Sequence, residues 1–146
     1  DEDWRRFFDV NVLSGVRLTR AYLPAMKQQN WGRVIFISSE SGVQIPAEMI
    51  HYGMTKAAVI NMTKGFAKEY GNSGVRVNAL LPGFTDTKLA AGLKSMPGMD
   101  KYMQKNLAIS GMAQPEEMVG SVLFMVSDEA SYFTGQGMVV DGGAII

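Results

Sequence analysis

The chain has 146 residues, 47% of them hydrophobic, and its 14 basic side chains are balanced by 14 acidic ones. That composition suits a chain that builds a core rather than a disordered one, and the lack of net charge or of a basic run argues against nucleic acid and anionic membranes as partners. No run of about 18 apolar residues could span a bilayer. With no cysteine and one histidine, disulfides and thiolate chemistry are excluded and a metal site would be hard to assemble, so no metal is expected.

The chain opens Asp1-Glu2-Asp3. It shows neither an initiator methionine nor the basic-then-apolar start of a signal peptide, so the expectation is a cytoplasmic protein from which something upstream has been removed. From Asp3 to about Gln29, Trp4, Phe7, Phe8, Leu13, Val16, Tyr22 and Met26 mark a helix with a broad apolar face. Asp3 is the candidate N-cap, and Pro24 is expected to kink or restart the helix. After Asn30-Trp31-Gly32, the run Arg33 to Ser38 is continuous in β-branched and aromatic residues, as in a strand buried on both faces of a parallel sheet. A Ser/Gly/Pro loop from Ser39 to about Glu48 leads to a second helix, about His51 to Tyr70, that ends at Gly71-Asn72-Ser73-Gly74.

Val75 to Leu81 is a second buried-type strand, stopped by Pro82-Gly83. Phe84 to Met112 reads as short helices and loop, a candidate lid. Pro115-Glu116-Glu117 opens a helix to about Ser127, and Met138 to Asp141 forms a last strand closed by Gly142-Gly143. Alternation of this kind gives a parallel sheet covered by helices, an α/β chain. Three strands are thin for a doubly wound nucleotide fold, and no glycine-rich turn follows a strand. The expectation is the second half of such a fold.

Tyr52 and Lys56 are four apart on a helix and so share a face. A free phenol has a pKa of about 10, and a neighbouring ammonium would lower it towards a workable general acid/base. Ser39, thirteen residues before Tyr52, lies at the carboxyl end of a strand, where open parallel sheets place their ligands. Ser38 competes with it, but alternation along a strand points the two apart. Asn11 precedes Ser39 by 28 residues. His51 is read as a helix-start residue. Glu40 and Glu48 are read as solvated in preference to substrate-facing. Met96, Met99, Met103 and Met112 are equally readable as core or as an adaptable apolar pocket.

Several stretches together are similar to the short-chain dehydrogenase/reductase family, in its 3-oxoacyl-carrier-protein-reductase-like branch. They are Val10-Asn11-Val12, Leu23-Pro24-Ala25-Met26, Gly32 to Ser39, Tyr52 to Ala58, Val75 to Ala79, Pro82 to Thr87, Pro115-Glu116-Glu117 and Thr134-Gly135 with Val140 to Gly143. The resemblance covers almost the whole chain and makes residues 1–146 the carboxyl-terminal part of a single NAD(P)-binding Rossmann domain, without its glycine-rich cofactor turn.

The resemblance implies an enzyme that interconverts a ketone and a secondary alcohol by hydride transfer, with NAD or NADP as cofactor. Tyr52 would be the general acid/base, Ser39 would orient and polarise the substrate oxygen, and Lys56 would lower the tyrosine pKa and hold the nicotinamide ribose. Asn11 would hold a water of the proton relay. Pro82, Gly83, Thr85 and Thr87 would lie along the nicotinamide. Relatives commonly form tetramers or dimers, so a homo-oligomer acting on a partly apolar carbonyl or alcohol is expected. The alternative is a catalytically silent fragment or a binding and assembly module.

Overall fold

The computed structural model describes residues 1–146. Its first helical run has three parts: α1 (Glu2–Phe8), a π-helical turn (Asp9–Leu13) and α2 (Ser14–Gln28). Asp3 is therefore not the N-cap. It sits in the first turn with Glu2, where negative charge favours the helix start. Pro24 lies inside α2, which runs on to Gln28. Pro24 and Arg20 are both exposed, so water can satisfy the carbonyl that proline leaves unpaired. The irregularity falls instead at Asp9–Leu13, where the backbone bonds step by five residues and Asn11 is carried on the bulge.

The strands are β1 (Gly32–Ile37), β2 (Val75–Pro82) and β3 (Gly137–Val140), parallel and in that spatial order. Gly32 pairs with Val75 and Ile37 with Leu80, while Ala79 pairs with Gly137 and Pro82 with Val140. Between β1 and β2 the chain makes two 3-10 turns, Glu40–Gly42 and Ala47–Met49, and then α3 (Ile50–Tyr70). After β2 come α4 (Ala91–Lys94) and α5 (Met99–Asn106) in the segment read as a lid. The helix read from Pro115 starts as a 3-10 turn, Pro115–Met118, capped where Glu117 accepts from the Gln114 N–H, and continues as α6 (Val119–Val126).

Alternation along β2 sorts its side chains onto two faces. Val75, Val77, Ala79 and Leu81 join Val12, Leu23, Phe36, Val59 and Ala67 in one buried cluster beneath α2 and α3. Asn78 and Leu80 point the other way, and α6 covers β1 and β2 there. Burial on both faces is why these strands read as unbroken apolar runs. Asn78 is almost fully buried, and its amide replaces sheet bonds beyond the start of β3: Nδ2 donates to the Phe133 carbonyl at 2.9 Å, and Oδ1 accepts from the Gln136 N–H at 3.1 Å.

No helix is long and apolar enough to cross a membrane. The methionines of the 84–112 segment divide: Met103 is buried, while Met96 is largely exposed.

Replacing buried Asn78 with alanine removes the partners of the part-buried Phe133 carbonyl and of the Gln136 N–H and leaves a space in the sheet. The expected result is a loss of about 2–4 kcal/mol of stability, read as a lower urea midpoint with an unchanged slope.

Candidate active site

The carboxyl ends of β1 and β2 and the start of α3 converge on one place. Ser38, just past β1, donates its hydroxyl to the Lys56 carbonyl at 2.8 Å, and Lys56 Nζ donates to the Ile37 carbonyl at 3.0 Å. These reciprocal bonds fasten the end of the strand to the second turn of α3. Gly42 tightens the joint further. A Cβ there would come within 2.8 Å of the Lys56 backbone carbon and 3.0 Å of the Ala57 nitrogen, so any other residue would push the turn away.

Ser39 is buried and extended, and it caps the Glu40–Gly42 turn. Its Oγ accepts from the Ser41 N–H at 3.1 Å and donates to Glu40 Oε2 at 2.5 Å. Ser41 Oγ donates to Glu40 Oε1 at 3.2 Å. Ser38 and Ser39 thus point apart, Ser38 into the helix backbone and Ser39 towards the Tyr52 phenol. Glu48 is exposed, but Glu40 is half-buried and bonded to the serine that sequence reasoning had singled out. A single acidic residue in a polar loop gave no signal of this.

Tyr52 and Lys56 lie on one face of α3, with Nζ 5.5 Å from the phenol ring centroid. Burial pushes the Tyr52 pKa above the ordinary tyrosine value; the Ser39 hydroxyl beside it pulls the other way, and the Glu40 carboxylate adds to the rise. Burial alone pushes the Lys56 ammonium down. The sequence suggested that Lys56 would lower the phenol's pKa. In the structure, burial sets the direction of the shift, and the ammonium directs one of its protons at the Ile37 carbonyl. At neutral pH Tyr52 is a phenol, able to donate.

Asn11 reaches the same helix from the π turn. Its Nδ2 donates at 2.9 Å to Thr55 Oγ1, which itself donates to the Tyr52 carbonyl at 2.7 Å. Because the threonine hydroxyl spends its proton on that carbonyl, it can only accept from Asn11, which fixes the amide's orientation. Thr55 is fully buried. It went unnoticed in the sequence because a threonine three residues after a tyrosine looks like any helix residue. His51 packs its ring edge-on against Phe7, with centroids 4.2 Å apart, at the start of α3.

The turn after β2 lies beside this cluster. Pro82 ends the strand, and a Cβ on Gly83 would meet the Asp141 Cα at 2.7 Å, so β2 and the end of β3 touch backbone to backbone. Thr85 donates its hydroxyl to the Gly83 carbonyl at 3.0 Å and bridges to Ala113. Thr87 is exposed, and its hydroxyl accepts from the Ala90 N–H at 3.4 Å. Asp141 closes the last turn by accepting from the Gly143 and Ile145 N–H groups, a structural task.

The family model described as "Enoyl-(Acyl carrier protein) reductase" matches residues 1–144. An uncharacterized oxidoreductase of Bacillus subtilis, YvrD, is 37% identical over 99% of the chain. Among solved structures, 4-hydroxyisoleucine dehydrogenase complexed with NADH superposes with a TM-score of 0.94 at 28% identity over 99% of the chain. A gluconate 5-dehydrogenase from Burkholderia cenocepacia in complex with NADP and tartrate does so with a TM-score of 0.96 at 26% identity, again over 99%. The chain spans 60% of the length of YvrD, and 60% and 56% of those two structures. Its three parallel strands and their helices are the second half of a Rossmann-type doubly wound sheet.

The electrostatics give a direct prediction. Tyr52 is expected to titrate above the ordinary tyrosine value, and Glu40→Gln is expected to bring its midpoint down by removing a nearby negative charge. Tyrosine ring-carbon NMR, with Tyr52→Phe assigning the resonance, reads both. The sign for stability follows: above about pH 10 the unfolded chain ionises first, so this group's share of stability is lost as pH climbs through the raised folded value.

Proposed function

The chain belongs to the short-chain dehydrogenase/reductase family, and from that premise we propose that the whole protein is an NAD- or NADP-dependent enzyme interconverting a ketone and a secondary alcohol. The observation that carries this reading is the joint between β1 and α3, which brings a phenol, a serine hydroxyl and an ammonium together at the carboxyl edge of a parallel sheet. Residues 1–146 are then the carboxyl-terminal part of one cofactor-binding domain. The outer edge of β1 pairs with no strand of this chain, and Ile37 at its end is 55% exposed; both suit a sheet that continues there.

The residues present fit a nicotinamide cofactor. Pro82, Gly83 and Thr85 form a turn held by its own hydrogen bond at the carboxyl ends of the strands, the place where doubly wound sheets bind their ligands. Together with Thr87, Tyr52 and Lys56, they would hold it. The cofactor's part is to give or take the hydride.

The chain's own residues handle the oxygen and its proton. In reduction Tyr52, protonated at neutral pH, passes its proton to the substrate oxygen. Ser39 orients that oxygen through its hydroxyl. Lys56 gives positive charge beside the phenol and a donor for the cofactor's ribose. Asn11 fixes the start of α3 through Thr55, and its amide oxygen is left to hold a relay water.

We place the protein in the cytoplasm, as a homo-oligomer. A furrow between α2 and α3, lined by Val16, Leu23, Phe66 and Tyr70 and flanked by exposed Leu18 and Tyr22, suits a second copy of this chain.

Tyr52→Phe in the whole protein is expected to lower kcat by at least about a thousandfold while cofactor affinity changes less than about threefold. Turnover with NAD and NADP, together with a fluorescence titration of the reduced cofactor, checks both. Turnover close to wild type in Tyr52→Phe would overturn the reading.

A further inference from the structure

We propose that Glu40 selects the substrate, receiving a hydrogen-bond donor, an ammonium best of all, carried on the carbon next to the reacting one. The proposal rests on the reading of Ser39 and Tyr52 given above, and it narrows the substrate class to vicinal amino alcohols and their amino ketones, with vicinal diols second.

A serine hydroxyl has one proton and two lone pairs. At Ser39 the proton goes to Glu40 Oε2 at 2.5 Å, and one lone pair accepts from the Ser41 N–H. In this arrangement Ser39 has nothing left to donate to a substrate oxygen. It can be released when Glu40 is offered a better donor, and a charged nitrogen is a better donor than a neutral hydroxyl.

Glu40 is able to take one. It belongs to none of the chain's four ion pairs. Lys56, the cation on the helix packed against its turn, donates to the Ile37 carbonyl and forms no ion pair with Glu40. A carboxylate offers about four acceptor positions, and Ser39 and Ser41 occupy one on each oxygen. Half-burial raises the cost of leaving this charge without a cation.

Position sets the spacing. Ser39 Oγ and Glu40 Oε2 lie within one hydrogen bond of each other, with the Tyr52 phenol beside Ser39. A substrate oxygen held between Tyr52 and Ser39 therefore sits next to the carboxylate. A donor on the adjacent carbon can reach Glu40.

The test uses the whole protein and three alcohols of nearly equal size: isopropanolamine, propylene glycol and sec-butanol, each oxidised with saturating cofactor. Wild type is expected to favour isopropanolamine over sec-butanol by about 30-fold in kcat/KM, with propylene glycol between them. Glu40→Gln is expected to bring that ratio within about threefold, mostly through KM for isopropanolamine, and Glu40→Asp to restore part of it. Binding is read independently by NMR in the absence of cofactor. Isopropanolamine should shift the Ser41 amide resonance in wild type and not in Glu40→Gln.

Equal kcat/KM for the three alcohols in wild type, or a uniform loss across them in Glu40→Gln, overturns the proposal. So does an NMR shift that persists in Glu40→Gln, and if none of the alcohols turns over, that titration decides alone. Failure of the parent reading looks different: turnover would survive Tyr52→Phe whatever the substrate preference.

Discussion

Everything the site can do depends on one reciprocal pair of hydrogen bonds, from the Ser38 hydroxyl to the Lys56 carbonyl and from the Lys56 ammonium to the Ile37 carbonyl. A strand end and a helix start are otherwise separate pieces, joined by a loop with its own freedom. These two bonds set the distance between Ser39 and Tyr52, and Gly42 lets the intervening turn lie directly on the helix backbone. Helix α3 is in turn seated on the core through Val59 and Ala67, against Val75, Val77 and Ala79 of β2. The chemistry of the polar edge is thus referred to the most deeply buried part of the sheet. Thr55 extends the same logic to the first helical run, because Asn11 reaches it from the bulged backbone of the π turn.

The parallel sheet was legible in the sequence because its strands are buried on both faces. Gly32–Ile37 and Val75–Pro82 leave no room for polar alternation, and β-branched runs between helical stretches allow few other architectures. The candidate site was legible mainly through resemblance, since a tyrosine and a lysine four apart on a helix occur often by chance. What could not be read has common physical roots. A π turn changes the bonding step without a characteristic composition, so the irregularity was assigned to Pro24 and found at Asp9–Leu13. Glu40 looked solvated because its partners, Ser39 and Ser41, matter only once the turn brings the three together. The direction of the Tyr52 pKa is not legible, because a sequence shows the neighbouring ammonium and not the burial.

The charge pattern that results is more restrained than four reactive residues in a row would suggest. Burial raises the Tyr52 pKa, Lys56 directs one of its protons at a backbone carbonyl, and the Ser39 hydroxyl donates its hydrogen bond to Glu40. On the proposed reading, the ligands themselves complete the arrangement: a cofactor engages Lys56 and the turn at Pro82–Thr85, and a substrate donor releases Ser39. Such dependence on occupancy protects a reactive phenol from solvent and makes substrate recognition part of the chemistry.

If the joint holds Ser39 against Tyr52, Ser38 and Ser39 act largely as one unit. A double-mutant cycle in the whole protein tests it directly, with kcat measured for Ser38→Ala, Ser39→Ala and the pair. Ser38→Ala alone is expected to lower kcat by about tenfold or more, and to cost much less once Ser39 is alanine. Independent, multiplying losses would contradict it, as would a Ser38→Ala enzyme as fast as wild type.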